Sequence, residues 1–243
     1  MAAPEPQATP AVTYIPIVTD LLRLLRAPFA PFGVFDEQRE KPTFWLPWIV
    51  LSALFMVVGL VALPVTLHIA RLSAEAAGRP FPPSAESLTR VLAVGGIPIG
   101  ILIAVMIGAV VLYFVLMISG AEARFKGMMT VSVFVAPITL IQTLVTTVVL
   151  KMRGVESIQT LADARITFGL DNLVSAEFVE AHKAIAALLR GIGPFEIWGL
   201  VITAIGLAAL EKVPPKKAWT AAIVAFIIGL MIRAGSALVF KAG

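Results

Sequence analysis

The chain has 243 residues, of which 59% are hydrophobic and 14% are charged. A typical soluble domain carries about 25% charged residues, so this composition excludes an ordinary soluble domain and indicates an integral membrane protein. The net charge of +4 is small, and no basic stripe with interleaved aromatic residues is present, so nucleic acid is not expected as a partner. The absence of cysteine excludes disulfides, thiol catalysis and cysteine-ligated metals.

The N-terminal segment combines a proline-rich start with an amphipathic stretch. Met1–Pro10 is expected to be disordered, and it lacks the positive start and apolar run of a signal peptide, so the first span should be retained. Residues 15–27 alternate leucines with charged residues. This pattern favours a helix that lies in the headgroup region with its charges toward water. Prolines 28 and 31 end that helix, and Asp36–Lys41 is predicted to be a charged, solvated link.

Five apolar stretches are long enough to cross a bilayer as helices, for which about 20 residues suffice. They are residues 43–69, 91–118, 128–150, 194–210 and 218–240. Trp45 and Trp48 give the first span an aromatic belt. Pro194 and Glu196 mark the start of the fourth, where the helix dipole favours a carboxylate. The predicted fold class is therefore an all-α polytopic membrane helix bundle with five transmembrane helices plus amphipathic interfacial helices.

The connections predict the orientation of the chain. Arg71–Arg90 is predicted to be a polar loop, and residues 151–192 an outer-side helical connection. In the latter, Ser175–Arg190 is expected to form one helix that rests on the membrane or caps the bundle. The two short connections carry five basic residues, Arg124, Lys126, Lys212, Lys216 and Lys217. The positive-inside rule therefore places them in the cytoplasm, together with a tail of residues 1–42. The C-terminus is then outside the inner cell membrane.

Two stripes in the second and third spans indicate how these helices pack. Folding their hairpin about Ala123 sets Gln142 level with Ala104 and Thr146 level with Gly100. Small residues allow close approach in membranes, so the small face is predicted to receive the polar face, with Gln142 bonding to backbone near Gly100 or Ala104. The stripes are Gly96, Gly100, Ala104 and Gly108 in the second span, and Ser132, Thr139, Gln142, Thr143 and Thr146 in the third. They serve either bundle packing or a polar pathway for a small solute or lipid headgroup.

Glu196 and Arg233 are ionisable residues inside predicted spans, which is the first place to look for function in a membrane protein. Folding the last hairpin about Pro214 sets both residues at a similar depth near the outer face. Three alternatives remain open: a structural pair, independent roles in which Arg233 extends to the surface alone, or a transport or ligand role.

No enzyme motif is present in the sequence. A phosphate-binding glycine-rich loop, a His-Glu-x-x-His motif and a Gly-x-Ser-x-Gly motif are all missing. The two histidines, His68 and His182, lie far apart in sequence and lack further ligands at metal-binding spacing. No catalytic, cofactor-binding or metal-binding residue is predicted, and the protein is not expected to be an enzyme.

The arrangement of spans and several short motifs resemble the Yip family, the Ypt/Rab-interacting membrane proteins, in its prokaryotic branch. The motifs are Gly120-Ala-Glu-Ala-Arg-Phe-Lys-Gly-Met-Met, Val133-Phe-Val-Ala-Pro137, Gly193-Pro-Phe-Glu-Ile-Trp-Gly199 and Gly206-Leu-Ala-Ala-Leu. The likeness covers Leu21 to Phe240 and implies a non-enzymatic membrane protein. Eukaryotic members bind Rab GTPases, but the Asp-Leu-Tyr-Gly-Pro motif before the first span is missing here. Rab-type GTPase binding is therefore not expected. A bacterial origin of the chain is expected instead.

The function predicted from the sequence is that of a scaffold that influences membrane organisation or partner assembly. Its expected partners are the lipid bilayer and other membrane proteins or a second copy of the chain. They would meet the amphipathic segment and the basic turns at Arg124–Lys126 and Lys212–Lys217. The alternative is a transporter of a small solute or lipid that uses the polar stripe with Glu196 and Arg233. An intramembrane enzyme comes third.

Overall fold

The computed structural model describes the backbone of residues 16–239 and the side chains of residues 17–237. The fold is all-α, without a strand among these residues. The helices are α1 Pro16–Arg26, α2 Pro31–Glu37, α3 Trp45–Ala76, α4 Pro83–Gly95, α5 Ile97–Ile118, α6 Phe125–Val135, α7 Pro137–Arg153, α8 Ala176–Ala181, α9 Lys183–Arg190, α10 Pro194–Glu211 and α11 Pro215–Val239. Five helical segments are long and apolar enough to cross a membrane: α3, α5, α6 with α7, α10, and α11. The predicted disorder of Met1–Pro10 and the predicted end of the last span at Phe240 lie outside the described residues.

Two predicted spans have different bounds. The second begins at Ile97 rather than at residue 91, because α4 ends at Gly95 and Gly96 starts a new helix with a proline in its first turn. The third runs from Phe125 to Arg153, and α6 and α7 meet at Ala136. Pro137 follows the break and has no backbone N–H to continue the helical hydrogen bonds.

The prediction of a polar loop at Arg71–Arg90 is wrong for most of these residues, which are helical. Helix α3 continues to Ala76, and α4 begins at Pro83 with a proline in its first turn. The charged residues of this region pair with one another. Glu86 accepts hydrogen bonds from Arg71 at 2.6 Å and from Arg90 at 2.7 Å. The first pair joins α3 to α4, and the second lies within α4.

The predicted single helix Ser175–Arg190 is two helices. Ser175 caps α8 by accepting a hydrogen bond from the backbone N–H of Phe178, and His182 then leaves helical geometry before α9 begins. Helix α9 packs against α11 and so covers the side of the bundle. Arg190 at its end forms an ion pair at 3.1 Å with the buried Asp171. The rest of residues 154–174 is irregular, apart from two short 3₁₀ turns.

The N-terminal segment departs most from expectation, because α1 and α2 form a hairpin inside the bundle. Two contacts align α2 with α10: Trp198 Nε1 donates to the Pro28 carbonyl at 3.0 Å, and Arg39 Nε donates to the Ala209 carbonyl at 2.9 Å. Each contact joins residues 170 positions apart, so the two segments run in the same direction and in register. Trp198 lies roughly 20 Å along α10 from Glu211 at 1.5 Å per residue. The tip of the hairpin therefore lies near the opposite end of α10 from Glu211.

Side-chain exposure agrees with an inserted hairpin. Phe29 and Phe32 near the tip are 75% and 66% exposed, toward the space that lipid would fill, whereas Phe35 is fully buried. Asp20 is also buried and pairs with Arg23 at 3.1 Å. The predicted helix is present as α1, but the prediction that its charges face water is wrong at Asp20. The predicted solvated link differs in part: Asp36, Glu37, Glu40 and Lys41 are exposed, but Asp36 and Glu37 belong to α2 and Gln38 is buried.

Candidate functional site

One end of the bundle is organised around a buried carboxylate. Glu211 at the end of α10 has a side chain that is only 3% exposed. Its Oε2 accepts hydrogen bonds from the backbone N–H of Arg124 at 3.1 Å and from Nε of the same residue at 3.3 Å. The guanidinium also reaches the carbonyls of Arg39 at 3.4 Å and Leu210 at 3.3 Å. We call Arg39, Arg124, Glu211 and their contacts the polar junction.

The polar junction joins three segments that are far apart in sequence. Arg39 follows the N-terminal hairpin, Arg124 lies in the connection between α5 and α6, and Glu211 precedes the connection between α10 and α11. Lys217 adds a further link by donating to the Ser119 carbonyl at 3.2 Å. Gly127 makes room for the carboxylate, because a Cβ there would overlap the Glu211 side chain.

The basic residues predicted in the two turns have different placements. Arg124 is committed to the polar junction and Lys217 to the Ser119 carbonyl. Lys126, Lys212 and Lys216 are exposed on the same end of the bundle.

The opposite half of the bundle contains a cavity of about 460 Å³ between α5, α6, α7, α10 and α11. We call it the lateral cavity. Its wall is mainly apolar, and the exposed side chains Ile107 and Ile232 stand on its rim, so it opens toward lipid. Ligand sites in proteins usually have volumes of about 300–1,000 Å³ and a mostly apolar wall with a few polar groups. The lateral cavity has these properties, and its polar lining residues are Ser132, Thr139, Gln142, Glu196, Thr203 and Arg233.

The predicted joint between the two stripes is present only in part. Gly108 lies against Ser132, whose Oγ would be 3.3 Å from a Cβ at that glycine. Gly100 has no atom within 4 Å of such a Cβ, and Ala104 is exposed on the cavity wall. Gly96 breaks the helix rather than packing in it. The predicted bond from Gln142 to backbone near Gly100 or Ala104 is not formed, because this amide donates to Glu196, although Gln142 and Ala104 both line the lateral cavity.

The polar stripe of the third span is divided in the same way. Ser132, Thr139 and Gln142 line the lateral cavity, whereas Thr143 and Thr146 do not. The hydroxyls of Thr143 and Thr146 donate to their own helix, at 2.8 Å to the Thr139 carbonyl and 2.9 Å to the Gln142 carbonyl. Such bonds satisfy a hydroxyl inside a membrane without a partner helix.

Gln142, Glu196 and Arg233 form a polar cluster at one end of the lateral cavity. Gln142 Nε2 donates to Glu196 Oε1 at 3.3 Å, so this amide bonds a carboxylate and not the backbone of α5. Arg233 Nη1 lies 3.8 Å from the same oxygen, which is an ion pair longer than a hydrogen bond. Glu196 is 11% exposed and its Oε2 is buried without a hydrogen-bond partner, near Gly193, whereas Arg233 is 56% exposed. The structure therefore shows Glu196 and Arg233 as a pair and not as two independent residues.

The two histidines have separate surroundings. His68 Nε2 lies 2.7 Å from the Ile158 carbonyl, and His182 stacks on the ring of Phe178. Within residues 16–239, no group of three or more His, Asp or Glu side chains is placed to hold a metal ion.

Comparison with known proteins gives a family for the chain. The model of the Yip1 domain matches residues 23–235. The chain belongs to the Yip1 domain family. It is similar to membrane protein YknW from Bacillus subtilis (strain 168), with 24% identity over 213 residues that cover 86% of this chain and 87% of the relative. No solved structure matches the chain.

The structure gives physical roles to the motifs that carried the resemblance to the Yip family. Arg124 and Gly127 accommodate Glu211, and Trp198 holds the tip of the N-terminal hairpin. Gly206 lies against Phe35, whose ring atoms would be 2.9 Å from a Cβ at that glycine. Sequence reasoning missed the hairpin and its partners, although the phenylalanine-rich stretch of residues 29–35 was an available signal.

Proposed function

We propose that this Yip1 family protein is a non-enzymatic scaffold of the inner membrane, which influences membrane organisation or the assembly of partner proteins. The observation that carries the proposal is the polar junction. The Glu211 carboxylate, which is 3% exposed, pairs with Arg124, and the guanidinium of Arg124 also reaches the Arg39 and Leu210 carbonyls, so three distant segments form one fixed surface. Because Glu211 is buried, the loss of its arginine partner would leave an unpaired charge, at a cost smaller than in a fully buried pair because Arg124 is half exposed. A surface of fixed shape suits the recognition of a partner.

The chemistry of this surface indicates what it binds. Lys126, Lys212 and Lys216 supply exposed positive charge around the polar junction. Helix α1, which shares a surface pocket with Lys126, turns an exposed apolar face of Ile17, Val18, Leu22 and Leu25 toward the lipid. Basic residues next to an apolar face fit an acidic segment of another membrane protein or of a second copy, together with the anionic headgroups of the bilayer. Rab-type GTPases are not among the proposed partners.

The proposed orientation places the polar junction and the N-terminus in the cytoplasm and the C-terminus outside. The hairpin of α1 and α2 then enters the bilayer from the cytoplasmic side. The chain has no cysteine, so single cysteines give a clean test. A membrane-impermeant thiol reagent added to intact cells should label Arg165→Cys and not Lys216→Cys. Labelling of the cysteine at position 216 from outside would reverse the orientation.

Affinity capture in mild detergent tests the scaffold role. The triple variant Lys126→Gln, Lys212→Gln and Lys216→Gln should lose the proteins or anionic lipids that copurify with the native chain. A matched control neutralises three exposed basic residues elsewhere, Arg79, Lys151 and Arg165. Both variants lose the same charge, so an equal loss of partners in both would reject the proposed surface.

Transport of a small solute or lipid is a second candidate, favoured by the lateral cavity. The cavity gathers three residues of the predicted polar stripe with Glu196 and Arg233. Vesicles that contain the purified protein and fluorescent phospholipid test this function by measuring movement between the leaflets. A rate of phospholipid movement that is lower for Arg233→Gln than for the native protein would support transport. A rate with the native protein equal to that of protein-free vesicles would reject transport.

A further inference from the structure

The lateral cavity combines an apolar chamber with two opposite charges at one end. Glu196 and Arg233 supply the charges, and Gln142 bonds the carboxylate from the side. On the far side of the chamber, Val111 and Val135 belong to an apolar wall. This distribution matches an amphipathic ligand with a polar head and a hydrocarbon body, which enters from lipid past the exposed rim.

The charges also indicate the kind of head. Oε1 of Glu196 is the carboxylate oxygen that meets Gln142 and Arg233, whereas Oε2 is buried beside Gly193. Arg233 Nη1 lies 3.8 Å from Glu196 Oε1, so the two side chains are not joined by a hydrogen bond. A carboxylate beside a guanidinium complements a head that carries both an ammonium and a phosphate.

We propose that the lateral cavity binds a phospholipid with a zwitterionic head and a primary amine, such as phosphatidylethanolamine. The ammonium donates to Glu196, the phosphate accepts from Arg233, and an acyl chain fills the chamber between α5 and α11. The primary amine matters because each of its N–H groups can donate, whereas the quaternary ammonium of phosphatidylcholine has none. This site does not depend on the scaffold role, since the polar junction lies at the other end of the bundle.

Native mass spectrometry of the purified protein tests the site on the wild-type chain. Each set of mixed micelles contains one test lipid at the same mole fraction. The test lipids are phosphatidylethanolamine, its N-methyl derivative, its N,N-dimethyl derivative, phosphatidylcholine and phosphatidylglycerol. Apparent affinity should fall with each added methyl group and be roughly tenfold weaker for phosphatidylcholine, because a hydrogen bond to a charged group is lost. Equal binding of the methylated series, or tighter binding of phosphatidylglycerol, would overturn the proposal.

Two pairs of variants locate the site. Gly229 lines the lateral cavity and has no atom within 4 Å of a Cβ, so Gly229→Leu fits and obstructs the chamber. Gly235→Leu is the matched control, since this glycine has equal space on the same helix but does not line the cavity. Binding of phosphatidylethanolamine should fall in the first and persist in the second. Arg233→Gln should lower it roughly tenfold, whereas Arg90→Gln, which removes an arginine outside the cavity, should not. Equal binding within either pair would reject the site.

Discussion

The insertion of the N-terminal hairpin makes a quantitative prediction at Gly206. A Cβ at this glycine would lie 2.9 Å from two ring atoms of Phe35 and 3.1 Å from Val131, whereas ordinary contacts are 3.4–4 Å. The added methyl group must therefore push α2 away by about 0.5 Å, and overpacking of this kind costs about 1–3 kcal/mol. Phe35→Leu alone should cost about 1–2 kcal/mol through lost packing. Together, Gly206→Ala and Phe35→Leu should cost less than the sum, by about 1 kcal/mol, because the smaller side chain accepts the methyl group.

Unfolding in mixed micelles with an increasing mole fraction of dodecyl sulfate measures these free energies. Gly235→Ala is the control, because its new methyl group has open space. Effects of two substitutions on separate sites add within about 0.5 kcal/mol, so additivity of Gly206→Ala and Phe35→Leu would refute the contact. It would also refute the inserted position of α2, since this contact lies between the Trp198 and Arg39 bonds that align α2 with α10.

Three further predictions concern other parts of the molecule. Gly127→Ala should displace the Glu211 carboxylate and lower the free energy of unfolding by about 2–3 kcal/mol. This loss is smaller than the loss from breaking a fully buried charge pair, because the arginine partner is half exposed. Gly100→Leu should change it by less than about 0.5 kcal/mol, and a loss above about 1 kcal/mol would show that this face is packed. Hydrogen bonds from Arg90 and from an arginine of α3 hold the pKa of Glu86 below its ordinary value of 4.5. The stability that they add is present above that value and is lost as the pH falls through the lowered pKa, so the acid unfolding curve of Glu86→Gln should be flatter between about pH 5 and pH 3.

Much of the fold could be predicted because uncharged runs and prolines are local signals. The five apolar stretches corresponded to the five candidate spans, and counting residues on either side of Pro214 set Glu196 and Arg233 at the same depth. These inferences use only helix length and the thickness of a bilayer. They do not require knowledge of which helices are neighbours.

The rest depended on neighbours that the sequence does not specify. Small residues every four positions identify a smooth face but not what covers it, and at Gly100 no other residue does. Pro137 was recognised as a break, but the sequence does not specify that α7 then packs against α3 and α10. The amphipathic pattern of α1 suits the headgroup region as well as an inserted hairpin. The bond between Trp198 and the Pro28 carbonyl distinguishes the two.

Site-specific photocrosslinking in living cells tests the scaffold proposal most directly. A photoreactive residue at position 216 stands on the proposed partner surface, and one at position 165 is equally exposed on the irregular connection. The account predicts discrete protein adducts, or adducts with a second copy of the chain, from position 216 and not from position 165. The same pattern from both positions, or adducts from position 165 alone, would contradict a partner surface built around the polar junction.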